Sequence, residues 1–87
     1  MKRSYYTSKA NANETLNANG YVQHLHFEDD QIEVALFENL NGTHIVTRTT
    51  KQYPNEESNT LVHVMDDRKE GVDRFSEIVT KHIFKLQ

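Results

Sequence analysis

Cysteine and tryptophan are absent from this chain of 87 residues, and proline occurs only once. Without cysteine the chain can form neither a disulfide framework nor a thiolate zinc site, so we expect a reducing, cytoplasmic location. Glycine is scarce as well, and Gly20, Gly42 and Gly71 are too far apart to build a phosphate-binding glycine loop. These shortages exclude several common kinds of binding site before any pattern is considered.

Long hydrophobic runs are missing too. No stretch approaches the roughly 20 apolar residues that a membrane-spanning helix requires. Lys2 and Arg3 are followed by polar and tyrosine residues rather than by the apolar region of a signal peptide. The sequence therefore predicts neither a membrane partner nor secretion.

A strong excess of charge of either sign is also lacking. Ten basic residues against thirteen acidic ones give a formal net charge of −3, which disfavours sequence-independent binding of nucleic acid. Basic and aromatic residues could still form a strip that stacks on bases, although Glu33, Glu56 and Glu57 weaken it. A nucleic-acid-binding accessory protein is therefore only the alternative function, and its strip would comprise Lys2, Arg3, Tyr5, Tyr6, Arg48, Lys51 and Tyr53.

The apolar residues that are present follow regular patterns. They make up 36% of the sequence, and a chain of this length can bury only one core. From Tyr21 onward they recur with strand or helix spacing, so residues 21–87 are predicted to form a single α+β domain. Residues 1–20 are a polar, asparagine-rich segment that we expect to be partly flexible or docked on the sheet, where Tyr5 and Tyr6 could form a short edge strand.

Alternation of apolar and polar residues predicts four antiparallel strands, at 21–28, 31–38, 43–52 and 60–65. Asp29-Asp30 between the first two strands is compatible with a tight turn. Asn41-Gly42 is typical of a two-residue hairpin loop, because both residues tolerate a positive φ. Successive strands joined by such loops form a meander.

The last part of the chain has helical spacing. Asp67 is the expected N-cap of a helix that runs to about Leu86. We expect this helix to pack on one sheet face, formed by Tyr21, Leu25, Phe27, Ile32, Val34 and Leu36. The predicted fold class is therefore α+β, an antiparallel β-meander of about four strands with one C-terminal helix packed on one face. The apolar stripe of that helix comprises Val72, Phe75, Val79, His82, Ile83 and Leu86.

The opposite face of the sheet supplies the predicted partner-binding surface. If both hairpins have two-residue loops, Val22, Phe37 and Val46 form a contiguous apolar row, with His24 and Arg48 in the next row. Such a row indicates a protein partner or a homodimer contact, unless the N-terminal segment covers it with its tyrosines and Leu16. Phe84, which points away from the helix stripe, completes the predicted set of Val22, His24, Phe37, Val46, Arg48 and Phe84.

Catalytic and metal-binding patterns are weak. No serine lies in a strand–turn–helix elbow of small residues, and the chain lacks cysteine, so we predict that the protein is not an enzyme. His24 and His26 could share a face beside Glu33 and ligate an ion, but exposed histidines at this spacing are common without one. We therefore expect no metal site and no cofactor.

These observations favour a small non-enzymatic protein-interaction or regulatory module in the cytoplasm. The module would bind a protein partner or a second copy of itself. Its asparagine, threonine and lysine usage is typical of low-GC bacteria and their phages, so an accessory or inhibitor protein of a phage or mobile element fits this prediction.

Overall fold

The computed structural model describes residues 2–51 and 59–84 of the chain. In the described ranges the chain forms five strands and two helices. In chain order these are β1 (Arg3–Thr7), α1 (Lys9–Ala18), β2 (Val22–Glu28), β3 (Ile32–Glu38), β4 (His44–Thr50), β5 (Thr60–Met65) and α2 (Arg68–Phe84).

All five strands belong to one antiparallel sheet with the order β1-β5-β4-β3-β2. Strands β2 to β5 form the predicted meander, and β1 pairs with the outer side of β5, where Tyr5 lies opposite Val62. The predicted α+β class is confirmed, with five strands instead of four. The extra strand is β1, the short edge strand that Tyr5 and Tyr6 were expected to be able to form.

One helix packs on each face of the sheet. Val72, Phe75, Ile78 and Val79 of α2 contact a buried cluster built from β3 and β4. On the other face, Ala12 and Leu16 of α1 are buried against β4 and β5, with Tyr5, Tyr21 and Phe37 packed around them. The cluster under α2 consists of Ile32, Val34, Leu36 and Val46, and the cluster under α1 consists of Ala12, Leu16, Ile45 and Val62.

Helix α2 begins as predicted. The Asp67 carboxylate accepts a hydrogen bond from the Glu70 amide at 2.8 Å, which satisfies one of the free N–H groups of the first turn. The stripe differs in detail, because Ile78 packs on the cluster whereas Ile83 is 52% exposed. Leu86 lies outside the described residues.

The loop between β3 and β4 is one residue longer than predicted. Asn39 donates its amide to the carbonyl of Thr43, so the loop consists of three residues, 40–42, and ends on Gly42 with φ +84°. Phe37 therefore lies opposite Ile45, and Leu36 lies opposite Val46. The one-residue difference turns Val46 toward α2 instead of toward the face of Phe37.

The first hairpin also differs from the prediction. The Asp29 amide donates to the Ile32 carbonyl at 3.0 Å, which places the two-residue loop at 30–31. A β-bulge between Gln23 and Leu25 then shifts the start of β2 and brings Val22 opposite Glu38. The predicted row of Val22, Phe37 and Val46 is therefore wrong, because neither hairpin has the register that it requires.

Candidate functional site

The three apolar residues of the predicted partner surface lie in three different places. Val46 is fully buried under α2, at 0% exposure. Phe37 is half-buried against the cluster beneath α1. Val22 is 62% exposed at the start of β2, so it alone of the three still presents a surface.

The other predicted partner residues are equally scattered. His24 lies near Glu38, with its Nδ1 atom 3.4 Å from the carboxylate. Phe84 is 68% exposed at the end of α2. Arg48 lies opposite Val34 and Leu61 and lines a cleft between the sheet and α2.

This cleft, which we call the α2 cleft, gathers several charged side chains. It has a volume of about 490 Å³ and opens between the sheet and the C-terminal half of α2. Besides Gln31, His63, Glu77 and His82, its lining has an apolar group and a cationic group of side chains. Ile32, Leu61 and Ile78 are apolar, whereas Arg48, Arg74 and Lys81 carry positive charge.

Arg48 is the least expected residue of the cleft. Its Nε atom is buried and has no hydrogen-bond partner among the described residues. The residues beside it across the sheet, Val34 and Leu61, are apolar. A polar group in such surroundings usually has a partner, because burying it without one costs about 1–3 kcal/mol.

His63 reports the electrostatics of the cleft. Burial lowers the pKa of its imidazole, and the positive charges of Arg74 and Arg48 lower that pKa further. The Nδ1 atom lies 2.7 Å from the Ser4 hydroxyl, which links β5 to β1. Burial is the larger cause of the lowered pKa, and the smaller contribution of the two arginines shows that their charges act on the imidazole at the floor of the cleft.

Glu77 partly offsets this potential at the mouth of the cleft. Its Oε1 atom accepts a hydrogen bond from Arg74 Nη1 at 3.3 Å and lies 3.9 Å from Lys81 Nζ. The carboxylate thus lies beside both cations of α2. It does not reach Arg48 with a hydrogen bond among the described contacts.

The edge of β2 is a second candidate surface. β2 is an edge strand of the sheet, and no described residue pairs with its outer side. Its residues are exposed apart from Phe27, and Leu25 is 38% exposed on the side of α2. Ile83 follows Val79 by one helical turn and therefore lies on the same side of α2, toward the cluster that includes Phe27.

A group of metal-ligating side chains lies near the far end of β2. His26, Glu28 and Glu33 place one donor atom each within 4.8 Å of one another. Lys9 forms an ion pair with Glu33, and Lys51 forms one with Glu28, so a cation would have to displace both lysines. The predicted absence of a metal site stays a prediction.

His24 does not take part in this group. The spacing of His24 and His26 predicted that they share a face, but the bulge between Gln23 and Leu25 separates them. His24 contacts Glu38, whereas His26 Nε2 lies 2.9 Å from the Glu33 carboxylate on the face of Ala35. The combination of both histidines with Glu33 is therefore wrong.

The basic and aromatic strip of the alternative function is not assembled in the described part of the chain. Arg48 faces α2, whereas Arg3 stacks over the ring of Tyr5, which packs on the α1 side. Lys2 and Lys51 form ion pairs with Glu70 and Glu28. Tyr53, Glu56 and Glu57 lie outside the described residues.

The comparisons with known proteins give no relative from which a function could be transferred. No family model, no curated protein and no solved structure matches this chain. Of the two described helices, neither is long and apolar enough to cross a membrane. The α2 cleft and the edge of β2 are therefore the features that bear on function.

Proposed function

We propose that this protein is a small non-enzymatic protein-interaction module of the cytoplasm that binds a short extended segment of another protein along the edge of β2. The observation that carries the proposal is the outer edge of β2, which no described residue pairs and which has exposed apolar side chains beside it. An extended peptide can join such an edge through main-chain hydrogen bonds. The module would act by occupying its partner, as an accessory or inhibitor protein of a phage or mobile element does.

The bulge in β2 favours a short segment over a second copy of the chain. Bulges on edge strands interrupt the ladder and hinder full-length pairing of one sheet with another. Beyond the bulge the regular pairing of β2 covers only Leu25, His26, Phe27 and Glu28. Four residues suffice for a short motif, whereas a stable dimer contact needs a larger interface.

The side chains beside the edge define the chemistry of the segment. Val22 and Leu25 are exposed apolar residues of β2, and Ile83 is the exposed apolar residue on the same side of α2. Because successive side chains of a strand point to opposite faces, a bound segment would place every second side chain against them. We therefore expect a partner segment with apolar residues at alternate positions.

Selection from a displayed library of short random peptides tests this function. We expect the selected peptides to share alternating apolar residues and to shift the amide NMR signals of residues 25–28. Leu25→Lys should abolish binding, because it places a charge in the apolar contact. Leu40→Lys is the matched control, since Leu40 is fully exposed in the β3–β4 loop.

Two outcomes would contradict the proposal. Selected peptides that shift residues elsewhere, or that bind Leu25→Lys as well as the native protein, would remove the edge of β2 as the binding surface. A concentration-dependent dimer in light scattering, lost in Leu25→Lys, would show that the occupant is a second copy of this chain.

A further inference from the structure

Arg48 carries a charge on the sheet face beneath α2, where its two cross-strand neighbours are apolar. It belongs to β4, the central strand, and lies between Val34 of β3 and Leu61 of β5. Its Nε atom is buried without a hydrogen-bond partner in the described ranges. A buried N–H group without an acceptor is unfavourable, and an acceptor oxygen of a ligand in the cleft would satisfy it.

Two further cations point to the same ligand chemistry. Arg74 and Lys81 are seven residues apart on α2, about two helical turns, and both line the cleft above Arg48. Arg48, Arg74 and Lys81 against Glu77 contribute a net charge of two positive units to the lining of the cleft. Such a balance suits a ligand group with two negative charges.

We propose that the α2 cleft binds a small organic phosphate monoester, with the phosphoryl group hydrogen-bonded to Arg48 and to the cations of α2. The planar fork of a guanidinium matches two phosphate oxygens, which favours arginine at such sites. The site is built on β3, β4, β5 and the side of α2 that carries Arg74, Ile78 and Lys81, so it goes beyond the interaction proposed for the edge of β2.

The size and walls of the cleft assign the rest of the ligand. Its volume of about 490 Å³ falls in the range of roughly 300–1,000 Å³ that is typical of small-molecule sites. A phosphate ion alone would leave most of that space empty. The organic part of the ligand therefore packs against Ile32, Leu61 and Ile78, which form the apolar wall.

Glu77 makes it possible to test the proposal with two substitutions that should change the affinity for an anion in opposite directions. Because its carboxylate lies beside Arg74 and Lys81, it competes with any anion that enters between them. Removing this charge should strengthen binding, whereas removing Arg48 should weaken it. If the cleft served only to stabilise the fold, neither substitution would change the affinity for an added anion.

The experiment is an NMR titration of the full-length protein with adenosine 5′-monophosphate, inorganic phosphate and adenosine as probes. We expect the monophosphate to shift signals of β4, β5 and the second half of α2, phosphate to bind more weakly at the same place, and adenosine to cause no shift. Arg48→Met should weaken binding of the monophosphate about tenfold or more, the usual size of a charge-assisted hydrogen bond. Glu77→Gln should strengthen it.

Arg68→Gln is the control for the change in charge, because Arg68 is bonded to Glu38 at the other end of α2 and should leave the affinity within about twofold. Without ligand, Arg48→Met should unfold no earlier than the native protein, since an apolar side chain suits the site. If that variant fails to fold, Glu77→Gln and Lys81→Gln still carry the test through their opposite effects. Equal binding to all variants, or no binding of the monophosphate to the native protein, would overturn the proposal. Equal shifts with citrate would also overturn it, because they would show that the cleft does not distinguish a phosphoryl group from a carboxylate.

Discussion

Two short polar side chains determine where the hairpins turn. The Asp29 carboxylate accepts hydrogen bonds from the amides of Gln31 and Ile32, at 2.8 and 2.9 Å. The Asn39 side chain does the same for Asn41 and Thr43, both at 3.0 Å. Such bonds satisfy N–H groups that a loop would otherwise leave to water, so each turn forms directly after the residue that supplies the oxygen.

The ionisation of Asp29 also makes the stability of the protein depend on pH. Hydrogen bonds from the amides of Ile32 and Gln31, together with His82, lower the pKa of its carboxyl from 3.8 to about 2. The folded state therefore gains stability from the ionised form above pH 3.8, and this gain is lost as the pH falls toward about 2. Asp29→Asn keeps a side-chain oxygen for the turn but removes the charge.

We therefore expect Asp29→Asn to be less stable than the native protein near neutral pH. The difference in unfolding free energy between the two proteins should shrink as the pH falls through this window. Urea melts at a series of pH values measure it. A difference that stays constant down to acid pH would show that the carboxylate of Asp29 is not stabilised by these bonds in the folded state.

At the scale of the elements, hydrophobic periodicity predicted the strands and the helix that bury one face. The bounds of β5 are those predicted, and the faces of β3 are correct, with Ile32, Val34 and Leu36 buried beneath α2. Helix α1 was not predicted as a defined element, because its asparagines have low helix propensity. Burial of Ala12 and Leu16, four residues apart, stabilises it instead, and a sequence cannot show that contact.

The α2 cleft could not be predicted because it depends on one register. Pairing of β3 with β4 one residue away from the actual register places Arg48 on the opposite face, beside Ala35, where an arginine is an ordinary exposed residue. The actual register turns Arg48 under α2. The difference arises in the three-residue loop after Asn39, whose side-chain hydrogen bonds are not visible as an alternation of apolar residues.

At Gly71, helix α2 lies close to the sheet. A Cβ atom there would lie 2.9 Å from Leu36 Cδ1 and 3.2 Å from His44 Cβ. Leu36 is itself 2% exposed and has little room to move. Overpacking costs about 1–3 kcal/mol, whereas alanine gains about 1 kcal/mol over glycine in a helix.

We therefore expect Gly71→Ala to lower the unfolding free energy by about 1 kcal/mol, because the overpacking cost exceeds the gain in helix propensity. Ser76→Ala is the matched control, since Ser76 is exposed on the same helix and should gain a few tenths of a kcal/mol. Urea melts of both variants decide the point. A more stable Gly71→Ala would mean that α2 lies farther from the sheet than this packing implies.

For the molecule as a whole, the sheet separates two clusters that each depend on one helix. The cluster under α2 consists of residues of the meander and is covered by the C-terminal helix, which directly follows the meander in the sequence. The cluster under α1 takes Ala12 and Leu16 from the N-terminal part and Ile45 and Val62 from the meander. The N-terminal residues therefore complete the second layer of the core instead of extending from it.

Removal of residues 1–19 tests that arrangement. The deletion takes away β1 and α1, exposes the apolar face of Phe37, Ile45 and Val62, and leaves β5 as a new free edge. We expect the shortened protein to unfold at lower temperature and to self-associate, because an open apolar sheet face beside an unpaired strand is prone to aggregation. Thermal melts and light scattering measure both effects. Leu16→Ala in the full chain removes part of the same contact and should lower the unfolding free energy by about 2–5 kcal/mol. A shortened protein that stays monomeric and melts at the same temperature as the native one would contradict the packing of α1 on the sheet, since α1 supplies the two buried helical residues on that face.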